Sequence, residues 1–503
     1  MGHVLVTGAT GYVGGRLVPE LIGAGHEVTC VVRRPERLRD VPWAGRVRVA
    51  VGDVADAEAM REAMRGVKIA YYLVHSMAAG PEFEERDRRA ATGFAQAAQD
   101  AGVRRIVYLG GLTHERGRLS PHMGSRTEVG EIFLDSPVPT VVLRAAMIIG
   151  SGSASFEMLR HLTERLPVMT TPRWVHTPTQ PIAIRDVLRY LVAWATVPEE
   201  VNRAFDIGGP DVLTYGDMMR GYAEISGLPR RVIIPVPVLT PGLSSQWVGL
   251  VTPVPASIAR PLVESLRHEA VCAEHDISTY VPDPPYGLIG FGQSVRLALR
   301  RIKEADVATR WSSASTPGAP SDPLPTDPDW TGGSLYVDER TREVAAPPAA
   351  VWRVIQEIGG ANGWYSLPVA WRLRGLIDRL MGGVGLRRGR RDPYRLRVGD
   401  VVDFWRVEEI EPGRLLRLRA EMRLPGLAWL ELSAEPGASP DRTHYRQRAV
   451  FHPHGLLGHL YWQTISPFHR LIFGRMPRNI ARTAERRRAA GLRLVRSRTG
   501  APR

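Results

Sequence analysis

Residues 3–14 read His3-Val-Leu-Val-Thr7-Gly8-Ala9-Thr10-Gly11-Tyr12-Val13-Gly14. Three consecutive apolar residues ahead of a glycine turn predict a strand buried on both faces, the habit of a central parallel strand. The glycines then fall where a strand must pass sharply into a helix. Gly8 permits the tight turn, Gly11 lets a phosphate approach the backbone, and Gly14 lets helix and sheet pack closely. A helix beginning there aims its first N–H groups and its positive dipole end at an anion. The ligand implied is a dinucleotide, held through Thr7, Gly8, Thr10, Gly11, Tyr12, Val13 and Gly14.

Outward from this stretch, short apolar runs alternate with helix-period segments, which predicts βαβ units and a doubly wound parallel sheet of Rossmann type, an α/β fold. The strands are expected at Val4–Thr7, Glu27–Arg33, Val47–Val51, Ile69–Val74, Ile106–Leu109 and Thr140–Arg144. Helices are expected at Gly15–Ala24 and Phe83–Ala101, and, in a mixed region from about residue 150, at Ser155–Arg165, Ile184–Ala195 and Tyr215–Gly227. A further strand is expected at Phe205–Ile207. These later elements extend the sheet and roof its cleft.

The end of the second strand selects the ribose: an acidic residue there suits NAD, and an arginine accommodates the 2′-phosphate of NADP. The sequence reads Val31-Val32-Arg33-Arg34, which favours NADP(H) over NAD(H); the alternative is two solvated arginines in an arginine-rich chain. Asp53 and Val54 after the third strand suit the adenine side. Val74 and His75 after the fourth suit the nicotinamide side.

These residues resemble the atypical short-chain dehydrogenase/reductase superfamily, in particular its NmrA-like branch and the relatives of the NADPH-binding accessory subunit of respiratory complex I. Gln180-Pro-Ile-Ala-Ile-Arg-Asp186-Val and Phe205-Asp-Ile-Gly-Gly209-Pro, followed by Leu213-Thr-Tyr215, support the resemblance, which covers about residues 1–300. The two-domain layout resembles bacterial YbjT-type proteins. The resemblance implies nucleotide binding and, in many members, reduction.

Active members commonly carry a serine and a Tyr-x-x-x-Lys pair whose ammonium lowers the phenol pKa. This chain has two lysines, Lys68 and Lys303, and neither stands four residues after a tyrosine. Tyr108-Leu-Gly110-Gly111-Leu occupies the serine region and Ser120-Pro-His122-Met-Gly-Ser125-Arg126 the tyrosine region. His122 and Arg126 keep the spacing of the missing pair and share a helix face. His122 is therefore a candidate proton donor; it is equally a candidate polar cleft residue in a protein that only holds the nucleotide.

Length and composition set the frame. At 503 residues the chain is expected to form more than one domain, and 44% hydrophobic with 23% charged residues is a globular balance. Two cysteines, Cys30 and Cys272, exclude a disulfide framework and a Cys-rich zinc site. With no charged stretch leading into an apolar run at its start, the chain is expected in the cytoplasm. Val232–Ala259 lacks charge, but its five prolines argue for buried or surface-docking segments over membrane contact.

The net charge of +14 is uneven: residues 1–330 carry 35 basic and 36 acidic side chains, residues 331–503 carry 31 and 16. GC-rich codon usage is the plain alternative for the arginine excess itself, but not for its uneven placement. Arg387-Arg388-Gly389-Arg390-Arg391 and Arg486-Arg487-Arg488 are expected to form a solvated basic face, with peripheral contact to an anionic membrane as the alternative; nucleic acid is disfavoured because no reader motif accompanies them.

A front domain is expected over 1–311, a Pro/Ser/Gly-rich linker over 312–333, a rear domain over 334–490 and a basic tail over 491–503. In the rear domain, strands are expected at Ser334–Val344, Val401–Val407, Leu415–Met422, Ala428–Ala434 and His444–Phe451. Helices are expected at Pro347–Ile358 and from Pro467 to Arg488. This order resembles the α+β helix-grip fold of the START-like superfamily, which implies an apolar cavity and a small apolar ligand or substrate. Trp352, Trp364, Trp371, Trp405, Trp429 and Trp462 would line the cavity or fill an ordinary core, with Trp405 and Trp429 expected on its wall. His444, His452, His454 and His459 lack carboxylate or cysteine at ligand spacing, so no metal is expected. Two functions stay open at this point: an NADP(H)-dependent oxidoreductase acting on an apolar carbonyl, and a non-catalytic NADP(H) sensor or assembly factor carrying a lipophilic ligand.

Overall fold

The computed structural model describes residues 2–39, 41–74, 83–114, 119–235, 252, 254–307, 335–360, 363–365, 392, 395–422 and 424–499. Contacts divide the chain into two units, Met1–Gly333 and Ser334–Arg503. The expected linker over 312–333 lies outside the described residues.

In the front unit, β1 (His3–Thr7), β2 (Glu27–Val32), β3 (Arg48–Val51), β4 (Ile69–Tyr72), β5 (Arg105–Gly111) and β6 (Thr140–Ala145) alternate with α1 (Tyr12–Gly23), α2 (Ala57–Ala63), α3 (Phe83–Asp100) and α4 (Pro121–Leu134). There follow β7 (Ile148–Ile149), α5 (Ala154–Arg165), β8 (Val168–Thr171), β9 (Pro178–Thr179), β10 (Ile182–Ala183), α6 (Ile184–Ala193), β11 (Arg203–Ile207), β12 (Leu213–Thr214), α7 (Tyr215–Ile225), β13 (Val232–Pro235), α8 (Ala256–Ser265) and α9 (Phe291–Val307). Seven strands form one parallel sheet in the order β11-β6-β5-β4-β1-β2-β3. The order reverses beside β1, where an open α/β sheet forms its crevice at the carboxyl ends of the strands.

Alternation along β1 explains the layers. Val4 and Val6 pack with Leu17, Leu21, Val187 and Leu191 of α1 and α6, while Leu5 faces Met60, Phe94 and Phe133 of α2, α3 and α4. Each such fully buried side chain is worth roughly 1.5–3 kcal/mol. On the second face, Tyr72, Phe94, Tyr108 and Phe133 meet edge to face, with ring centroids 4.9–6.0 Å apart. Helices α5, α7, α8 and α9 share a separate core around Phe156, Tyr222, Val263 and Val295. The uncharged stretch from Val232 supplies β13 and, at its end, the start of α8; residues 236–250 lie outside the described residues. Among the described residues no helix is long and apolar enough to cross a membrane.

The rear unit is a six-stranded antiparallel sheet in the order β14-β19-β18-β17-β16-β15. Its elements are β14 (Tyr336–Val344), α10 (Pro348–Gln356), β15 (Val401–Val402), β16 (Trp405–Glu411), β17 (Leu415–Ala420), β18 (Gly426–Pro436), β19 (Thr443–Pro453) and α11 (Gly455–Thr499). One face packs on α10 and α11 through Val351, Ile355, Leu418, Leu430, Met476 and Ile480.

Two expectations change here. The run expected as one strand at Val401–Val407 is a tight hairpin, because Asp403 turns the chain at φ 56°. Its buried carboxylate accepts from Trp364 Nε1 at 2.7 Å and Gly360 N at 3.2 Å. Trp405 and Trp429 do not share a wall: Trp405 sits in the core with Leu430 and Leu432, and strand alternation turns Trp429, beside Leu430, to the other face. Trp352 and Trp364 belong to that core, Trp462 stacks between Tyr336 and Phe451, and Trp371 lies outside the described residues.

The basic runs also resolve in part. Arg487 pairs with Glu357 at 2.7 Å and Arg488 with Asp441 at 2.9 Å, so these two are structural ties as well as surface charge; 387–391 lies outside the described residues. His444 Nδ1 meets Glu343 at 2.9 Å and His459 Nδ1 meets the Tyr336 hydroxyl at 2.9 Å, two separate contacts.

Candidate active site

The glycine stretch forms the turn its spacing requires. Gly8 has φ 72°, and Gly11 N donates to Gly8 O at 2.8 Å. A Cβ on Gly8 would lie 2.6 Å from Leu73 O, and one on Gly14 would lie 2.3 Å from Gly8 O, so neither position tolerates a side chain. Gly11 is the N-cap residue of α1 and brings no side chain to the first-turn N–H groups. Buried Thr7 braces the loop against β4: its hydroxyl donates to Tyr71 O at 3.0 Å and accepts from Leu73 N at 3.2 Å. Thr10, Tyr12 and Val13 are half-buried around the turn, and Arg16 lies 4.2 Å over the Tyr12 ring. This narrow, side-chain-free cradle at a helix N-terminus fits a pyrophosphate.

Arg33 and Arg34 project into solvent just beyond β2, the Arg33 side chain 80% exposed and 3.8 Å from Asp53. Asp53 accepts from Ala55 N at 3.0 Å, and Val54 is half-buried. Val74 follows β4 and is half-buried; His75 lies outside the described residues.

Next along the carboxyl edge, beyond β5 and β6, lies a cavity of about 120 Å³. Its lining includes Gly111, Leu112, Met147 and Met158, together with His122, Met123 and Arg126 from the first turns of α4. Proline at the first helical position and the Ser120 hydroxyl accepting from Met123 N start α4 at this point. His268 adds to the polar lining, as do Ser155, Thr177, Thr179 and Ser265, and accepts from Ser120 N at 3.3 Å through Nε2. The structure thus brings His122 and Arg126 together at the cavity, apart from the glycine loop.

Burial, and then the adjacent Arg126 guanidinium, lower the His122 pKa to about 3. The imidazole is neutral at physiological pH, so any proton it offers comes from a neutral N–H, a hydrogen-bond donor rather than a strong acid. A linkage follows. The unfolded histidine takes up a proton below its ordinary value near 6.5, whereas the folded one waits until about pH 3. Stability from this group is therefore complete above pH 6.5 and is lost as pH falls. Between pH 7 and pH 5 the loss attributable to His122 should be about 2 kcal/mol, and His122→Gln should remove it. Urea midpoints at the two pH values check this; equal acid sensitivity in both proteins contradicts it.

Sequence reading missed a charged cluster at the neighbouring strand ends. Asp206 of β11 is fully buried and lies 2.7 Å from Arg144 of β6 and 2.7 Å from His114 Nε2, just past β5. It also accepts from Ala273 N at 2.9 Å, while Glu274 accepts from Asp206 N at 2.6 Å. The signal was available: Thr140-Val-Val-Leu-Arg-Ala145 and Arg203-Ala-Phe-Asp-Ile207 each place one charge near the carboxyl end of an apolar strand, and the two are register partners. Nearby Cys272 is no ready nucleophile, since burial and then Asp206 push its thiol up to about 12.

Comparison with known proteins agrees with this geometry. Residues 8–134 match a family described as NAD(P)H-binding, and residues 330–476 match one described as protein of unknown function DUF2867. Over 281 residues the chain is 28% identical to (4-alkanoyl-5-oxo-2,5-dihydrofuran-3-yl)methyl phosphate reductase of Streptomyces griseus, covering 54% of this chain and 89% of that protein. Over 268 residues it is 28% identical to ceramide reductase of Caulobacter vibrioides, covering 50% and 79%. A solved structure of Citrobacter sp. triphenylmethane reductase complexed with NADP(H) aligns with a TM-score of 0.48 at 20% identity, over 59% of this chain and 99% of that one. The front unit therefore carries a Rossmann-type NAD(P)H-binding domain with reductases among its homologues, and the rear unit matches DUF2867 over residues 330–476.

Proposed function

We propose that the protein is an NADP(H)-dependent oxidoreductase whose substrate enters the cavity beside α4. The observation that carries this reading is the arrangement at the carboxyl edge of one sheet: a glycine cradle after β1 and, beyond β5 and β6, a largely apolar cavity with a few polar groups. A bound nicotinamide supplies hydride. The residues proposed to hold the nucleotide are Thr7, Gly8, Thr10, Gly11, Tyr12, Val13, Gly14, Arg33, Arg34, Asp53, Val54, Val74 and His75. His122 and Arg126 are proposed to orient an acceptor carbonyl, Arg126 as a permanent cation and His122 as a neutral hydrogen-bonding group. Water then supplies the proton.

Exposed Arg33 and Arg34 at the ribose end of the crevice support the preference for NADP(H). NADPH should bind about tenfold or more tighter than NADH, the worth of one charge-assisted hydrogen bond, and Arg33→Ala should remove most of that difference. Calorimetric titration with each nucleotide checks it; equal affinities in the unmutated chain contradict it.

A second reading, an NADP(H)-binding sensor without turnover, is favoured by the absence of the Tyr-x-x-x-Lys pair and by the neutrality of His122. Oxidation of NADPH by the purified chain in the presence of carbonyl substrates separates the two. Nucleotide binding without reduction of any carbonyl supports the sensor.

A further inference from the structure

The cavity beside α4 carries an unbalanced charge. Arg126 lines it, with Nη2 donating to Leu109 O at 3.2 Å, while its buried Nε has no hydrogen-bond partner. Among the described residues no carboxylate pairs with this guanidinium, and no Asp or Glu lines the cavity. Other inward-facing arginines of the same unit are better provided for, although Arg105 Nε, like Arg126 Nε, has no hydrogen-bond partner. Arg144 has Asp206, Arg105 has the Trp194 and Val197 carbonyls at 2.8 Å, and Arg231 has the Thr163 and Pro229 carbonyls.

A half-buried cation without a counter-ion is costly, and an anion delivered to it forms charge-assisted hydrogen bonds in a weakly screening setting. Two features add to the attraction. The 14-residue α4 points its N-terminal, positive end at the same space, and the His122 imidazole beside Arg126 contributes no negative charge. Leu112, Met123, Met147, Met158 and Leu262 give the wall a large apolar part, and Ser155, Thr177, Thr179 and Ser265 add neutral polar residues.

Size narrows the occupant. At about 120 Å³ the cavity is slightly smaller than an apolar cavity of about 150 Å³ known to take benzene. A single small ring or compact branched group fits, and a long chain does not fit within it. The anion is not the nucleotide's own: no residue of the 8–14 glycine loop lines the cavity, and neither Arg33 nor Arg34 does.

We propose that this cavity binds a compact apolar oxyanion, a carboxylate or a phosphate ester, with its charged oxygens on Arg126 and its apolar body against Met123, Met147 and Met158. The proposal rests on the oxidoreductase reading only in calling that ligand the substrate; the binding site stands by itself. A substrate of this class presents its carbonyl to the cavity beside a negatively charged group.

Calorimetry on the full chain tests it with benzoate and phenyl phosphate against uncharged benzyl alcohol, and the two anions separate carboxylate from phosphate recognition. At least one anion should bind about tenfold or more tighter than benzyl alcohol, the worth of one charge-assisted contact. Arg126→Gln should abolish that difference, and Arg126→Lys should keep much of it. Equal binding of charged and uncharged probes overturns the proposal, as does an unchanged preference in a folded Arg126→Gln protein. Should the glutamine variant fail to fold, the charge comparison on the unmutated chain and on Arg126→Lys decides. Titration with NADPH alone tests the nucleotide reading separately: anion binding without NADPH binding removes that reading and leaves this one, and the reverse removes only this one.

Discussion

Gly14→Val is expected to lower NADPH affinity by roughly two orders of magnitude or more, because the phosphate cradle depends on the backbone path that the substitution displaces. The Cβ alone would stand 2.3 Å from Gly8 O and 2.8 Å from Gly8 C, distances that only a shift of the loop or of α1 can relieve. Either movement separates the loop from the helix N-terminus. Gly23→Ala is the control: it lies in the same helix, and its added Cβ meets nothing within 4 Å. That variant should bind NADPH as the unmutated chain does. Gly11→Ala, whose Cβ meets only Gly8 O at 3.2 Å, should fold normally and still bind less tightly. Near-normal affinity in Gly14→Val, measured by calorimetry, would sink the role given to this turn.

The second large effect concerns stability. Asp206→Ala should destabilise the front unit by roughly 3–5 kcal/mol, the cost of removing one partner from a buried ion pair. Its carboxylate ties β6, the segment after β5 and the loop at Ala273 to the edge strand β11. The alanine leaves Arg144 and the Ala273 N–H without that acceptor. Asp206→Asn keeps the shape and part of the hydrogen bonding, so it should lose less. Urea denaturation followed by far-UV circular dichroism gives the comparison. A loss below about 1 kcal/mol for the alanine, ordinary for an exposed pair, would show that the cluster contributes little.

How much of this was legible depends on whether a feature is local. The run from His3 to Gly14 announces strand, turn and helix because each residue's requirement is met within a few neighbours. Asp56 likewise caps α2 through the backbone of Glu58 and Ala59, a local signal that sequence reading left unused. The register of β11 against β6 is a different kind of fact. Asp206 and Arg144 meet across 62 residues, and one charge at each strand end does not say which strands adjoin. Helix α11 shows the same limit. Proline at 467 suggests a helix start, yet the helix begins at Gly455 and continues through Pro467 and Pro477. Its early turns are held by tertiary contacts, Trp462 stacked on Tyr336 and Phe451 and His459 against Tyr336, which no window of sequence displays.

The site divides along the same line. The spacing of His122 and Arg126 gave one helix face, and the structure places both on one cavity. That the histidine is held neutral follows from its burial, and the cavity it lines is closed in part by α8 and His268, more than 130 residues away in the chain. Trp429 failed for a simpler reason: two aromatic residues on nearby strands share a face only if their registers agree in parity, and here they differ.

Every role proposed for the front unit depends on its binding NAD(P)H through the turn from Thr7 to Gly14. Calorimetric titration of the full chain with NADPH tests it most directly. One nucleotide per chain should bind saturably, with binding lost in Gly14→Val and retained in Gly23→Ala. No saturable binding to the folded, unmutated protein, or equal binding in Gly14→Val, would contradict it.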